Sequence, residues 1–326
     1  MRTVNLAEAR AWGESVLGEL ATVVVGKRDA LEMVLLGILA DGHVLIEDLP
    51  GLGKTLIASS FATVLGLEFG RVQFTPDLLP ADITGGPYLD PTDNRLRFRP
   101  GPLFANLVLA DEINRAPAKT QAALLEAMAE QQVTADGTAH RLPDPFVVLA
   151  TENPIESEGT YPLPEAQLDR FLLRLRIGYL SVDDELELLD ARATHRRPQR
   201  PRPVTDAAGV LAARATLGGV EVGRDVLGYI VALVDATRRH PQLAVGASTR
   251  GGLALLGLAR GRALLAGRDY VLPDDVKALA VPALAHRLVL RPEVWARDID
   301  TDQIVAEVVV ATPVPGGPAE LAQARP

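Results

Sequence analysis

The sequence predicts an α/β core built on a parallel sheet, followed by an all-helical second unit. Three observations carry this. The stretch HVLIEDLPGLGKT, residues 43–55, is an apolar strand running into a glycine-containing loop, and LIASSFATVLG behind it is a good helix former closed by Gly66. Two further apolar runs, ANLVLADEINRAP and FVVLATENP, end in polar residues, as strands do at the carboxyl edge of an open parallel sheet. From Ser181 onward the pattern becomes helical, with helices expected over 205–216, 224–239, 248–266, 273–288 and 301–311. At 326 residues the chain is long enough for two domains. The expected division is a core with its connecting helix at 1–197, a proline-rich basic linker at 198–204, a helical lid at 205–312 and a flexible tail at 313–326.

In chain order, residues 5–20 read as an amphipathic surface helix, with acidic residues where a signal peptide would be apolar. VVVGKRDALEMVLLGILADG then places a short apolar stretch before Gly26 and a second helix after it. Val25 and Gly26 are candidates to line a nucleotide base; by spacing alone Val23, Val24 and Val25 serve equally as core.

The loop that follows comprises Asp48, Leu49, Pro50, Gly51, Leu52 and Gly53, and ends in Lys54 and Thr55. Gly51 and Gly53 let backbone N–H groups turn inward on a polyphosphate, and the helix behind them directs the positive end of its dipole there. Lys54 is placed to reach the β- and γ-phosphates and Thr55 to put its hydroxyl on Mg²⁺. The pattern GxxxxGK[ST] has glycine at its first position, where this chain has Asp48; aspartate tolerates unusual backbone angles, so the loop is expected to close.

LEFGRVQF reads as a strand, and TPDLLPADITGGPYLDP as loop or a short insertion rather than a core helix, because its turn residues are dense. NRLRFRPGPLF alternates like a hairpin arm. The strand ANLVLAD brings Asp111 to its carboxyl edge as a Mg²⁺ ligand, and Glu112 beside it as the group that orients and polarises water. Alone, such a pair is usually a solvated strand end; its distance behind the phosphate loop favours the catalytic reading. TQAALLEAMAEQQ has helical spacing for packing on the sheet, and Asp136-Gly137 marks a hairpin turn. Asn153, at the tip of the third strand, is placed to sense the γ-phosphate, or else is a turn residue before Pro154. Arg170, in the short helix ending Asp169-Arg170-Phe171, is either a solvated arginine or an arginine finger offered to a neighbouring subunit. Arg250, at the start of the helix after GAS, is placed to reach phosphates from the lid side, or to pair on the surface.

Composition excludes several classes. There is no cysteine, and the five histidines lack HExxH spacing, so disulfides, thiolate chemistry and a zinc hydrolase have no support. A formal charge of -9 argues against a general nucleic-acid binder. The apolar run LEMVLLGILADGHVLI is interrupted by Glu32 and Asp41, so membrane insertion is not expected and the cytoplasm is the default location.

Taken together, EDLPGLGKT, RVQFTPDLLPADITG, FRPGPLFANLVLADEINRAPAKTQAALLEAM, ATENP, GTYPLPEAQLDRF and GASTRGG resemble the MoxR family of AAA+ ATPases over about residues 20–310. The resemblance implies a P-loop NTPase core with ATP and Mg²⁺ as cofactors. It also implies Walker A at Lys54 and Thr55, Walker B at Asp111 and Glu112, sensor 1 at Asn153, an arginine finger at Arg170 and sensor 2 at Arg250. TPDLLPADITG becomes an insert in the second core helix, and VTADGTAHRLP the hairpin before sensor 1. Family members look like chaperones that remodel or mature a client protein, usually as hexameric rings and often with a partner carrying a von Willebrand factor A domain. A DNA-directed motor on the same core is the alternative, disfavoured by the charge; a small-molecule kinase and a non-hydrolysing scaffold fit the catalytic residues less well.

Overall fold

The computed structural model describes residues 5–154, 160–194, 199–294 and 299–315. The chain enters through α1 (Leu6–Ala21), started by a reciprocal cap in which Asn5 Oδ1 accepts from the Glu8 N–H at 2.9 Å and Glu8 Oε2 accepts from the Asn5 N–H at 3.0 Å. Next come α2 (Arg28–Leu39), β1 (Val44–Glu47), α3 (Lys54–Val64) and β2 (Phe69–Gln73). The turn-rich passage is more ordered than its composition suggested. It forms α4 (Pro80–Thr84) and β3 (Gly85–Asp90), and β3 pairs antiparallel with β4 (Arg95–Pro100), supplying the partner arm of the hairpin.

Then follow β5 (Leu107–Asp111), α5 (Ala118–Glu130), the hairpin of β6 (Gln132–Ala135) and β7 (Thr138–Arg141), β8 (Val147–Glu152), α6 (Glu165–Leu168), β9 (Leu173–Leu175) and α7 (Val182–Ala193). Asp136 and Gly137 both have positive φ, 49° and 75°, as the tight hairpin turn between β6 and β7 requires.

The five core strands lie parallel in the order β2-β5-β8-β1-β9. Three of them are apolar nearly throughout because both faces are covered. Val44, Ile46, Leu107, Leu109, Val147 and Leu149 face a cluster with α1, α2 and α3, whereas Leu45, Val108, Ala110, Val148 and Ala150 face a second cluster with α5. Successive strand residues thus alternate between two cores, which fixes the register and brings the polar ends of β1, β5 and β8 to one edge.

The remainder holds α8 (Ala207–Thr216), α9 (Arg224–Arg239), β10 (Leu243–Val245), α10 (Thr249–Leu265), α11 (Pro273–Leu284), β11 (Val289–Leu290) and α12 (Thr301–Ala311). Two details depart from the expected helical pattern. The helix expected to reach residue 288 ends at Leu284, just past an internal Pro282 that cannot donate to the ladder, and β10 pairs with β11 in a small antiparallel ribbon. Leu255, Leu258 and Leu264 of α10 share the cluster of Leu31 and Leu35 on α2, so the helical unit and the core are packed through continuous apolar surface. The end of the expected linker and the first lid residue are tied down, the Val204 and Thr205 N–H groups donating to the Val64 carbonyl at 2.8 and 3.3 Å. Most of the expected tail lies outside the described residues. No helix among those described is long and apolar enough to cross a membrane.

Candidate functional site

Gly51 and Gly53 have φ of 85° and 83°, the left-handed region where a side chain costs roughly 1–2 kcal/mol. Gly53 directly precedes α3, so the loop turns its backbone toward the unpaired N–H groups of the first helical turn. Lys54 Nζ donates to the Asp48 carbonyl and, at 3.3 Å, to the Glu152 carbonyl. Burial pushes its pKa down, against the pull of Asp48, Asp111, Glu112 and Glu152. Asp48 closes the loop by a different means from the one expected. Its backbone is not in the left-handed region. Instead, its carboxylate, in a residue only 8% exposed, accepts from the Leu49 N–H at 2.8 Å and from the Gly178 N–H at 2.6 Å. A glycine there could do neither; the departure from the usual pattern ties the loop to the chain beyond β9.

Pro50, Gly51, Gly53, Lys54, Thr55, Asp111, Glu112, Thr151 and Asn153 line one cleft of about 350 Å³. Asp111 Oδ1 accepts from the Thr151 hydroxyl at 2.8 Å and Oδ2 from Arg71 at 2.9 Å. Glu112 has φ 57° and ψ 52°, a strained conformation for a residue with a side chain. Its N–H donates to Thr151 Oγ1 at 2.8 Å, and its Oε2 accepts from Gln73 at 2.8 Å and Arg115 at 3.0 Å. Asn153 is 5% exposed. A hydroxyl and a carboxylate facing a phosphate cradle are the hard oxygen donors that suit Mg²⁺, and no cluster of three or more acidic or histidine ligands exists among the described residues. Thr55 and Asp111 therefore fit a metal that takes its remaining ligands from phosphate and water.

A second cavity of about 370 Å³ adjoins the loop through Gly51, Leu52 and Gly53, and is walled by Val23, Val25, Leu56, Tyr179, Leu180, Leu188 and Leu189. An apolar slot beside a phosphate loop suits a nucleotide base. Val24 touches it too but is mainly core, while Gly26 packs against the Asp184 carboxylate. Lys27 holds the wall in place, its ammonium donating to the carbonyls of Ile177, Gly178 and Tyr179 at 3.2, 2.9 and 2.6 Å. Asp48 and Leu49 line neither cavity.

Arg170 and Arg250 stand elsewhere. Arg170 is exposed and does not line the phosphate cleft. Arg250, with its side chain 66% exposed, lies 3.6 Å from Asp169 Oδ2, next to Arg170 in the chain.

Residues 43–173 match the ATPase family associated with various cellular activities (AAA), and residues 235–308 match the AAA lid domain. Protein YeaC of Bacillus subtilis is 47% identical over 293 residues, covering 90% of this chain and 92% of the relative. Chaperone MoxR1 of Mycobacterium tuberculosis is 40% identical over 311 residues, covering 93% of this chain and 82% of the relative. The chain belongs to the MoxR family of AAA+ ATPases. A crystal structure from Cytophaga hutchinsonii, 40% identical, has a TM-score of 0.87 and covers 94% of this chain and 96% of that one.

Several residues of this MoxR-family site are given no role by the sequence: Arg71 and Gln73 within RVQF, Thr151 within ATENP, Lys27 and the Tyr179–Leu189 wall. Only register could have found Gln73, which sits opposite Asp111 across β2 and β5.

Glu152, beside Asn153, also borders the site through its carbonyl, which accepts from Lys54. It lies opposite Glu47 across β8 and β1, but Glu47 is taken up by Arg174 and Arg176, each at 3.1 Å. Burial first, and Glu47 second, push the Glu152 carboxyl up from 4.5 to about 7. Between those values the folded chain holds a proton that the unfolded chain has lost, so stability falls as pH rises, by up to about 1.4 kcal/mol per unit. Buried His43 acts oppositely, its pKa lowered from 6.5 to about 4 by desolvation, so it adds stability as pH rises through that window. Of these two groups, only Glu152 still contributes a pH dependence above 6.5. Glu152→Gln is expected to raise the urea midpoint above wild type at about pH 8 and to lose that advantage by about pH 5; equal differences at both values would contradict it.

Proposed function

We propose that the chain hydrolyses ATP to ADP and phosphate in a Mg²⁺-dependent reaction, and that the cleft is completed by a neighbouring copy. The observation that carries this reading is the convergence of Lys54, Thr55, Asp111, Glu112 and Asn153 on one cleft that adjoins an apolar slot. The slot takes the base and the α3 N-terminus takes the phosphates. Lys54 exchanges its carbonyl partners for phosphate oxygens. Mg²⁺, when bound, would neutralise charge on the β- and γ-phosphates, with Thr55 and Asp111 holding it. Glu112 orients and polarises the water, and Asn153 positions it against the γ-phosphate.

Charge developing on the transferred phosphoryl group calls for a further cation: among the described residues lining the cleft Lys54 is the only basic one, and Arg71 and Arg115 are engaged with Asp111 and Glu112. Arg170, exposed and outside its own cleft, is suited to serve a neighbour's nucleotide. Arg250 shares Asp169 with that edge, so we place it on the same side, acting in trans. The assembly we propose is a closed ring, a hexamer by family resemblance, working in the cytoplasm. The name Chaperone MoxR1 on a relative supports a remodelling role on a client protein, with a von Willebrand factor A domain protein as the expected partner.

Phosphate release measured against protein concentration tests this directly. Turnover per subunit is expected to rise with concentration until assembly saturates and to vanish when EDTA removes Mg²⁺. A rate per subunit independent of concentration, in a protein that sediments as a monomer, would contradict it.

A further inference from the structure

Arginine is rarely buried, because its guanidinium is always charged and carries five donors that need acceptors. Arg287 is such a case. Its side chain is 3% exposed and lies in the turn that follows α11. What it grips is the segment around Arg170. Nε donates to Asp169 Oδ1 at 2.7 Å, one terminal nitrogen donates to the Phe171 carbonyl at 2.7 Å, and the other donates to the Leu172 carbonyl at 3.2 Å and to the Ala283 carbonyl near the end of α11. The neighbouring His286 approaches the Phe171 carbonyl at 3.1 Å. Ser248, which caps α10, has its hydroxyl 3.3 Å from both Asp169 oxygens.

The core holds the same segment from the other side. The Arg170 N–H donates to the Gln167 carbonyl at 3.1 Å, the Leu172 N–H donates to the His43 carbonyl at 2.8 Å, and the Phe171 ring is fully buried in the cluster with α5. The residues on either side of Arg170 are thus bonded to the lid through charge-assisted contacts, while the Arg170 side chain is left exposed.

We propose that Arg287 is a positioning residue for Arg170: the lid, rather than the core alone, aims the arginine that this subunit offers to its neighbour. Any lid movement in one subunit would then be transmitted to the nucleotide of the next. A guanidinium acting on a transferring phosphoryl group tolerates little displacement, and a shift of about 1 Å in such a group costs up to roughly 100-fold. This inference rests on the reading of Arg170 as a finger, and its test separates the two.

The test uses full-length chains in three equimolar mixtures, each with Glu112→Gln subunits, which hydrolyse poorly but offer an intact Arg170. The partners are Arg170→Ala, Arg287→Met and Asp169→Asn. Alone, the last two are expected to bind ATP within about two-fold of wild type and to turn over roughly 10- to 100-fold more slowly. Mixed, all three are expected to recover activity, because each keeps a competent cleft and receives an arginine from its neighbour. A merely structural defect in Arg287→Met would not be repaired by a neighbour. Recovery with Arg170→Ala but not with Arg287→Met or Asp169→Asn would overturn the inference and leave the finger standing. Wild-type turnover in both variants alone would also overturn it. Failure of the Arg170→Ala mixture would remove the finger and this inference with it. Should Arg287→Met not fold by circular dichroism, Asp169→Asn decides, since that half-buried residue keeps the backbone carbonyls Arg287 grips.

Discussion

Replacing Glu112 by Gln is expected to leave ATP bound and to lower turnover by about 10²- to 10⁴-fold, the range for loss of a positioned general base. The amide keeps the size of the carboxylate and can still accept from Gln73 or Arg115, so the strained backbone at this position should survive. What it loses is the negative charge that polarises water. Lys54→Ala should behave differently, because Lys54 is the one cation of the phosphate loop; ATP affinity itself should fall with it. Equilibrium binding of a fluorescent ATP analogue, run beside single-turnover hydrolysis, separates the two outcomes. A Glu112→Gln chain that hydrolyses at the wild-type rate would mean that another group orients the water.

Arg170→Ala carries the other large effect. An arginine finger contributes about 10³- to 10⁵-fold to turnover in phosphoryl transfer. The substitution should leave the fold intact, because the side chain is exposed and Asp169, Phe171 and Leu172 keep their contacts with Arg287. Binding of ATP should be unchanged, since Arg170 does not line its own cleft. Steady-state phosphate release and ATP affinity measured on the same preparation check this. A loss confined to affinity, with kcat preserved, would place Arg170 in ground-state binding instead.

The sheet was legible because covered parallel strands must be apolar on both faces, and their polar ends mark the carboxyl edge; that pattern set Asp111, Glu112 and Asn153 at the edge, though not their roles. The phosphate loop was legible because Gly51 and Gly53 adopt φ that other residues resist. Asp48 was misjudged in physical cause: its value lies in two N–H groups its carboxylate accepts from, one of them on Gly178, far along the chain. The apolar slot beside the loop was half legible. Val25 precedes the loop in sequence, but Tyr179, Leu188 and Leu189 come from a segment whose apolar residues look like ordinary helix packing. The ribbon of β10 and β11 is three and two residues long, too short for an alternating pattern to register. Arg287 was invisible for a related reason: nothing local to it in sequence reveals that its acceptors lie around Arg170.

On the proposed function, ATP is cleaved in a cleft that two copies of this chain build together. The most direct measurement is a structure of the assembled protein with Mg²⁺ and a non-hydrolysable ATP analogue. The triphosphate is expected over Gly51 to Thr55, with the Arg170 guanidinium of the adjoining copy within hydrogen-bonding distance of the γ-phosphate. An assembly that hydrolyses ATP yet holds every Arg170 turned away from the neighbouring nucleotide would contradict it.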